Sequence, residues 1–529
     1  MIYVSGSGIP YKIKKLILPV VFILFGFSLV LKAQSNVNPD SALYQILNEL
    51  EGEKLSLSGA VQSALTNATS VRIAEGSLKS ASGTLRRERG VFDPSFYFNL
   101  NYEDFDQPSA SFFAGAPVLS TQRTTASTGL RLNLPTGTQL ELALNSVKLK
   151  TNSAFAFLNP EYDAFGSLSL RQPLLKGFTA SSRKQLSKAE SDYESAKNQY
   201  DQAALMVSTD VERLYWDLYA AERDYAVQKL VLDRAEAFLK EAQLRAQAGL
   251  VGPNQVANAR TFLAEQELLW IDRREQLDNL SDELAALIGK RPSGDFARFV
   301  VVDEPPENIP VEPVDDLIDE ALNNNLDLRA FKNNLEAART LLDAAVWEAL
   351  PSVDLVGSLS GNGLSGTPRD VILLGDTLRS TTSGNLSQSL SQVFRRDYPG
   401  WSLGVEINIP IGLRQGLGES DRLEGEVTIA EQRYVELSRL IEEQIRSTYR
   451  ELTHGKERLK AALEGVQAAQ EQVRIGLIEF KNGRLTAFEL VRLSEDYAIA
   501  QGRYSDALVR TAKSAATLKQ LTSGKYPSA

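Results

Sequence analysis

Few side chains in this 529-residue chain are placed to do chemistry. It has no cysteine, which removes thiol catalysis, disulfide frameworks, zinc clusters and a lipidated N-terminal cysteine together. Its one histidine, His454, falls within a long helical pattern, and no nucleophile, base and oxyanion donor accompany it. Asp315 and Asp316 form a carboxylate pair, but at a helix start, where the dipole favours negative charge. What remains is a set of charges at helical spacing, Glu489, Arg492 and Glu495. Arg492 can pair with either acid at i,i+3, or all three can be solvated surface charges. None of this is enzyme chemistry, and no cofactor or metal is expected.

The elements that carry these charges set the context. The net charge is −10 and the pI about 5.1, which argues against a nucleic-acid partner, since phosphate contacts need clustered Lys and Arg. Mean hydropathy is −0.20, unlike a helical membrane protein. At the N-terminus, Lys12, Lys14 and Lys15 precede an apolar run from Leu16 to Leu31, and Ala33 offers a small residue for cleavage. This reads as a signal peptide over 1–33. The alternative, a membrane anchor, needs a longer span than this Pro19-interrupted run provides. An exported chain without a later apolar helix must use strands for any membrane insertion.

The chain repeats itself. Leu57 to Ser95 aligns without gaps on Val314 to Ser352, with Ala64-Leu65-Thr66-Asn67 over Ala321-Leu322-Asn323-Asn324 and Asp93-Pro94-Ser95 over Leu350-Pro351-Ser352. Both stretches are helical in period, and the proline resists continuation. The period then becomes 2. Phe96, Phe98, Leu100 and Tyr102 alternate with polar residues, as do Leu130 to Leu134, Leu140 to Leu144, Leu168 and Leu170, and Trp401 to Ile409. Runs of ~8–10 residues suit tilted transmembrane strands, although one such run alone also suits a soluble sandwich. Gly361 to Pro399 reads as a long Gly/Ser/Thr-rich loop.

Long helices follow in each copy. From Phe178 to Ala248 there is no proline or glycine. Apolar or small residues recur at 4,3,4,3 spacing with one extra four at Val207 to Val211, and Gln228 fills the single missing seam position. The second copy has its extra four at Ile441 to Ile445, 234 residues later. A 3.5-residue period supercoils helices to the left, and a stutter locally unwinds them. Each long helix breaks at a turn, Ala246 to Val256 and Phe480 to Leu490, and a helix returns. Pro253 suits a first helical position. The organisation is therefore a signal peptide 1–33, an N-terminal segment 34–56, repeat A 57–289 (strands about 95–171, helix pair 178–289), a proline-rich linker 290–313, repeat B 314–521 (strands about 352–411, helix pair 415–521) and a tail 522–529.

This order resembles the TolC-type outer-membrane efflux protein family over nearly the whole mature chain. The matching residues are Ala248-Gly249-Leu250-Val251 with Val256, Asn258, Ala259 and Arg260; Tyr215-Trp216-Asp217-Leu218; Gln172-Pro173-Leu174-Leu175; and Gly483 with Glu489-Leu490. The resemblance implies a mainly α fold with a membrane β-barrel: a homotrimer whose strands, twelve or more, close one barrel in the outer membrane of a Gram-negative-type bacterium. A large α-helical barrel continues it through the periplasm. It also implies a passive exit duct of a tripartite efflux or type I secretion system, with an inner-membrane pump and a periplasmic adaptor as partners. The alternative is a structural coiled-coil envelope or adhesin protein without transport. The first repeat carries more strand runs than the family's usual two; a hairpin extending the barrel on its outer side is the favoured reading, extra barrel strands the other.

In the family, acidic residues at the second turn project into the pore and form its constriction. The positions here are Glu489, which keeps the acid, and Arg492, which replaces one; near the first turn the acidic partner falls on Gln255. A ring of Glu489 would favour cations, and Arg492 would oppose that. The turn residues Gly249, Leu250, Val251, Gly483, Arg484 and Leu485 are the candidate adaptor-docking surface, with plain turn chemistry as the other account of the glycines.

Overall fold

The computed structural model describes residues 39–111, 114–306, 309–373, 375–482 and 484–524. The signal peptide expected over 1–33 and the turn glycine Gly483 lie outside the described residues. The described residues form two units, one comprising Glu53–Tyr219, Leu280–Lys460 and 506–524, the other 39–52, Ala220–Asn279 and Ala461–Ser505. In chain order the elements are α1 (Pro39–Glu49), β1 (Glu53–Leu55), α2 (Leu57–Asn67), α3 (Thr69–Gly90), β2 (Ser95–Pro108), β3 (Val118–Asn133), β4 (Gln139–Thr151), β5 (Leu158–Pro173), α4 (Thr179–Gln247) and α5 (Pro253–Ile288). Then follow β6 (Phe299–Val301), α6 (Val314–Asn324), α7 (Leu326–Glu348), β7 (Ser352–Pro368), β8 (Asp370–Leu373), β9 (Asp376–Arg379), α8 (Leu386–Arg395), β10 (Tyr398–Asn408), α9 (Arg414–Lys481) and α10 (Ala487–Leu521). No helix among the described residues is long and apolar enough to cross a membrane.

The larger unit contains a six-stranded sheet in the order β10-β7-β5-β4-β3-β2, antiparallel throughout. β3 and β4 therefore do not extend the barrel on its outer side, as the favoured sequence reading had it. They pair along most of their length between β2 and β5 as strands of the same sheet. Register explains why. Phe96, Leu130, Leu142, Leu168, Leu359 and Trp401 stand opposite one another across all six strands. One residue along, Ser95, Arg131, Glu141, Ser169, Ser358 and Ser402 form a second continuous row. A slip of one residue in any strand would place a leucine among the polar side chains, so the alternation pins the pairing. The result is a sheet with one apolar and one polar face.

Gly361 to Pro399 is not a loop throughout. β7 runs on to Pro368, β8 and β9 make a two-stranded hairpin, and α8 precedes β10. Asn385 and Gln388 start α8 with a reciprocal capping box. The helix rests on the apolar face of the sheet, where glycines admit it: a Cβ at Gly361 would stand 2.9 Å from the Val393 carbonyl oxygen, and one at Gly166 2.6 Å from Val393 Cγ1.

The same unit holds the helical core. Ile441 and Ile445, the stutter residues of α9, are buried against Leu317, Ile318, Ala321, Leu328 and Leu518. The extra spacing thus turns α9 where α6 and α7 pack on it. At the corresponding place in α4, Val207 and Val211 are buried, and Tyr215 beyond them is the largest fully buried side chain. Its hydroxyl accepts from the amides of Val302 (3.1 Å) and Asp303 (3.2 Å) and lies 2.9 Å from the Leu55 carbonyl. Leu55 ends β1, and Val302 and Asp303 follow β6 in the parallel pair β1–β6, so one phenol ties α4 to both strands. Trp216 and Leu218 are buried beside it, and Asp217 pairs with Lys513 of α10 at 2.7 Å. The run Tyr215 to Leu218 is a joint between long helices and linker.

In the other unit, Val466, Ala469 and Val473 of α9 pack on Tyr497 of α10. Gly476 lets the two approach: a Cβ there would lie 2.6 Å from Leu493 Cδ1. Gln228, the polar residue in the α4 seam, donates to the Gln266 side chain of α5 at 2.9 Å, which satisfies an amide that would otherwise be costly between helices.

Candidate functional site

The two helix turns share one closing hydrogen bond. At the first, the Leu250 amide donates to the Arg245 carbonyl (2.9 Å) while Gly249 adopts φ +74°. This is a Schellman stop, in which a left-handed residue lets the chain reach back to the last orphan carbonyls. At the second, the Arg484 amide donates to the Glu479 carbonyl at 2.9 Å, the same bond 234 residues later. Pro253 then opens α5 at the position where its missing N–H is harmless. The turns meet: the Arg245 guanidinium lies 5.8 Å from the Phe480 ring centre. Arg245 also bonds Glu241 at 2.6 Å.

The expected constriction residues have different surroundings. Glu489 starts α10 as half of a capping box with Thr486. Its carboxylate accepts from the Thr486 amide (2.9 Å) and hydroxyl (2.8 Å), and the Glu489 amide donates back to the Thr486 hydroxyl at 3.2 Å. The Thr486 amide, followed by its hydroxyl, holds the Glu489 carboxyl below the usual carboxylate range. The motif T-x-x-E in the sequence signals this cap, a role for Glu489 beyond that of a pore or surface charge. Arg492 is exposed, and among the described residues it pairs with neither Glu489 nor Glu495. Gln255 is exposed on the first turn of α5. Of the turn residues, Leu250 is 74% exposed. Gly249 and Arg484 are exposed, and Val251 and Leu485 are half-buried.

The polar face of the sheet is the second part of the site. Glu141 accepts from Arg131 (2.9 Å) and the Tyr97 hydroxyl (3.0 Å) across three strands. Arg171 bonds Asp354 at 2.6 Å and reaches Glu406 at 3.5 Å. These groups line one surface of the sheet with mutually paired charges.

The model of the outer membrane efflux protein family matches residues 317–524, from α6 through both long helices of the second repeat. No curated protein matches the chain. Among solved structures, the chain is similar to the outer membrane protein VceC of Vibrio cholerae, at 16% identity and a TM-score of 0.61, covering 89% of this chain and 97% of that one. It is similar to the Campylobacter jejuni CmeC outer membrane channel, at 15% identity and a TM-score of 0.59, with 89% and 86% covered. It is also similar to the open state of the Neisseria gonorrhoeae MtrE outer membrane channel, at 17% identity and a TM-score of 0.57, with 88% and 89% covered. At these identities the likeness concerns the fold, a helical barrel joined to a β-barrel. The family match covers the second repeat, and the fold likeness extends the same architecture over the first.

Proposed function

We propose that this protein is the outer-membrane exit duct of a tripartite efflux or type I secretion system, a passive conduit for substrates delivered by an inner-membrane pump through a periplasmic adaptor. The observation that carries this reading is the two-faced sheet. An apolar row facing lipid and a paired-charge row facing a lumen are what a transmembrane barrel requires. The sheet's two edge strands, β2 and β10, have no partner in the sheet beyond β3 and β7. Open edges are not tolerated in lipid, so they pair between copies. β2 and β10 run in opposite directions, because five antiparallel pairings separate them, and they can continue an antiparallel barrel. Three copies of a six-stranded sheet would close eighteen strands, more than the twelve that four strands per chain would give. Glu489 and Arg492 on α10, with Gln255 near the first turns, form the constriction at the helix turns, and Gly249, Leu250, Val251, Gly483, Arg484 and Leu485 receive the adaptor.

Because the chain has no cysteine, cysteine pairs, one on β2 and one on β10, scanned along both strands test the closure. The expected result is an oxidant-dependent covalent trimer for pairs on the two edge strands. Absence of any such product at every register, in protein that is membrane-inserted, contradicts it.

A further inference from the structure

α8 does not seal the face on which it lies. Between its last turn and the apolar row of the sheet is a hollow of about 480 Å³, bounded by Leu130, Leu142, Leu168 and Leu359 below and by Val393 and Phe394 above. That volume is within the ~300–1,000 Å³ range of small-molecule sites. Arg396 is the one charged side chain at its wall. The neighbouring cation, Arg395, is engaged by Asp397 at 3.2 Å, whereas Arg396 forms no ion pair among the described residues. Arg396 also holds a left-handed backbone, φ +57°, as the cap of α8. Gly or Asn would take that conformation more readily, so an arginine there carries a local cost. Phe394 is 75% exposed beside it.

We propose that this hollow binds an acyl chain of an outer-membrane lipid whose anionic phosphate head group sits on Arg396. The inference rests on the outer-membrane reading above. Three observations select a lipid as the occupant. The hollow is continuous with the apolar row of the sheet, the surface that reading places against acyl chains. It is centred on β3, β4, β5 and β7 and touches the edge strand β2 only through Phe96. Its only charge is an unengaged cation at the rim, the arrangement that a phosphate on an apolar tail complements. α8 has the character of an interfacial helix, with Leu386, Leu390, Val393 and Phe394 on one side and Ser387, Gln388 and Ser391 on the other.

The test uses the full-length protein in vesicles of phosphatidylglycerol and phosphatidylcholine in equal amounts. After mild detergent extraction, lipid retained per oligomer is counted by native mass spectrometry, and bilayer conductance is recorded from the same preparations. Wild type should retain phosphatidylglycerol over phosphatidylcholine by fivefold or more. Arg396→Asn, which suits the left-handed backbone but removes the charge, should bring the ratio close to one. Leu142→Trp, which fills the hollow from the sheet side, should lose both lipids. Unchanged retention and preference in both variants, with conductance intact, overturns the lipid site alone. A wild-type protein that never conducts overturns the outer-membrane reading and the lipid site with it.

Discussion

Thr486 and Glu489 cap each other: the carboxylate of Glu489 takes both the amide and the hydroxyl of Thr486, and the hydroxyl takes the Glu489 amide in return. The acid that the family resemblance assigns to a pore constriction is therefore also the residue that starts α10. Any substitution there changes two things, the charge at the second turn and the helix start. Thr486→Ala separates them, since it removes the cap and keeps the acid. We expect it to cost about 1 kcal/mol locally, read as about fivefold lower amide-exchange protection in the first turn of α10, with ion selectivity retained. Glu489→Ala should lower both protection and cation selectivity. Selectivity unchanged by Glu489→Ala would remove Glu489 from the constriction.

The same cap has a pH dependence of fixed sign. The Glu489 carboxyl titrates below its ordinary value because it accepts from Thr486. A depressed folded-state pKa means that the contribution is fully present above the unfolded value, near 4.3, and is lost as pH falls through the folded one. Protection factors at the start of α10 should therefore hold from pH 7 down to about pH 5 and fall below about pH 4.5. In Glu489→Gln this acid-dependent fall should be absent. A fall of equal size in Glu489→Gln would assign it to another group.

Leu142 and Glu141 are neighbours on β4 but belong to opposite faces, the first in the apolar row and the second bonded to Arg131 and Tyr97. Leu142→Arg should destabilise the inserted barrel by about 2–4 kcal/mol, seen as reduced heat resistance of the oligomer. Glu141→Gln should leave heat resistance nearly unchanged and alter single-channel conductance. The reverse pattern would mean that the faces have been assigned the wrong way round.

The two repeats, the strands and the stutters are legible in the sequence because each is a period: 3.5 residues for the seams and 2 for the sheet. The extra strands β3 and β4 are visible as alternating runs, but their place between β2 and β5 is set by register across neighbours, which no single run contains. α8 is hidden for a different reason. Gly361 and Gly363 suggest a flexible loop, whereas they are small because a helix lies on them, and ten Ser- and Gln-rich residues carry little helical signal. Tyr215-Trp216-Asp217-Leu218 stands out only as a resemblance until the partners Leu55, Val302, Asp303 and Lys513 are placed around it. Those partners are distant in sequence and give no local pattern. The Thr486–Glu489 cap, by contrast, is local and readable.

Tyr215→Phe keeps the ring in its buried place and removes the oxygen shared by Val302, Asp303 and Leu55. Leaving these part-buried amides without that partner costs about 1 kcal/mol. We expect faster exchange at Val302 and Asp303 and a lower temperature for loss of oligomer, with conductance preserved at room temperature. Unaltered exchange at both amides would show that the phenol does not hold the strands.

Leu250 is an exposed leucine on a turn whose glycine already explains the chain reversal. Leu250→Asp should abolish crosslinking to a purified cognate adaptor while conductance and oligomer stability remain those of wild type. Crosslinks that persist and map away from both turns would remove the turns from the docking surface.

The central claim is that three copies of this chain make a passive pore, and planar-bilayer recording on the purified, heat-resistant oligomer tests it most directly. The account predicts discrete conductance steps without any nucleotide or cofactor, sensitive to charge at Glu141 and Glu489. A stable oligomer that inserts strands but never conducts, or a fibrous assembly that does not insert, would contradict it.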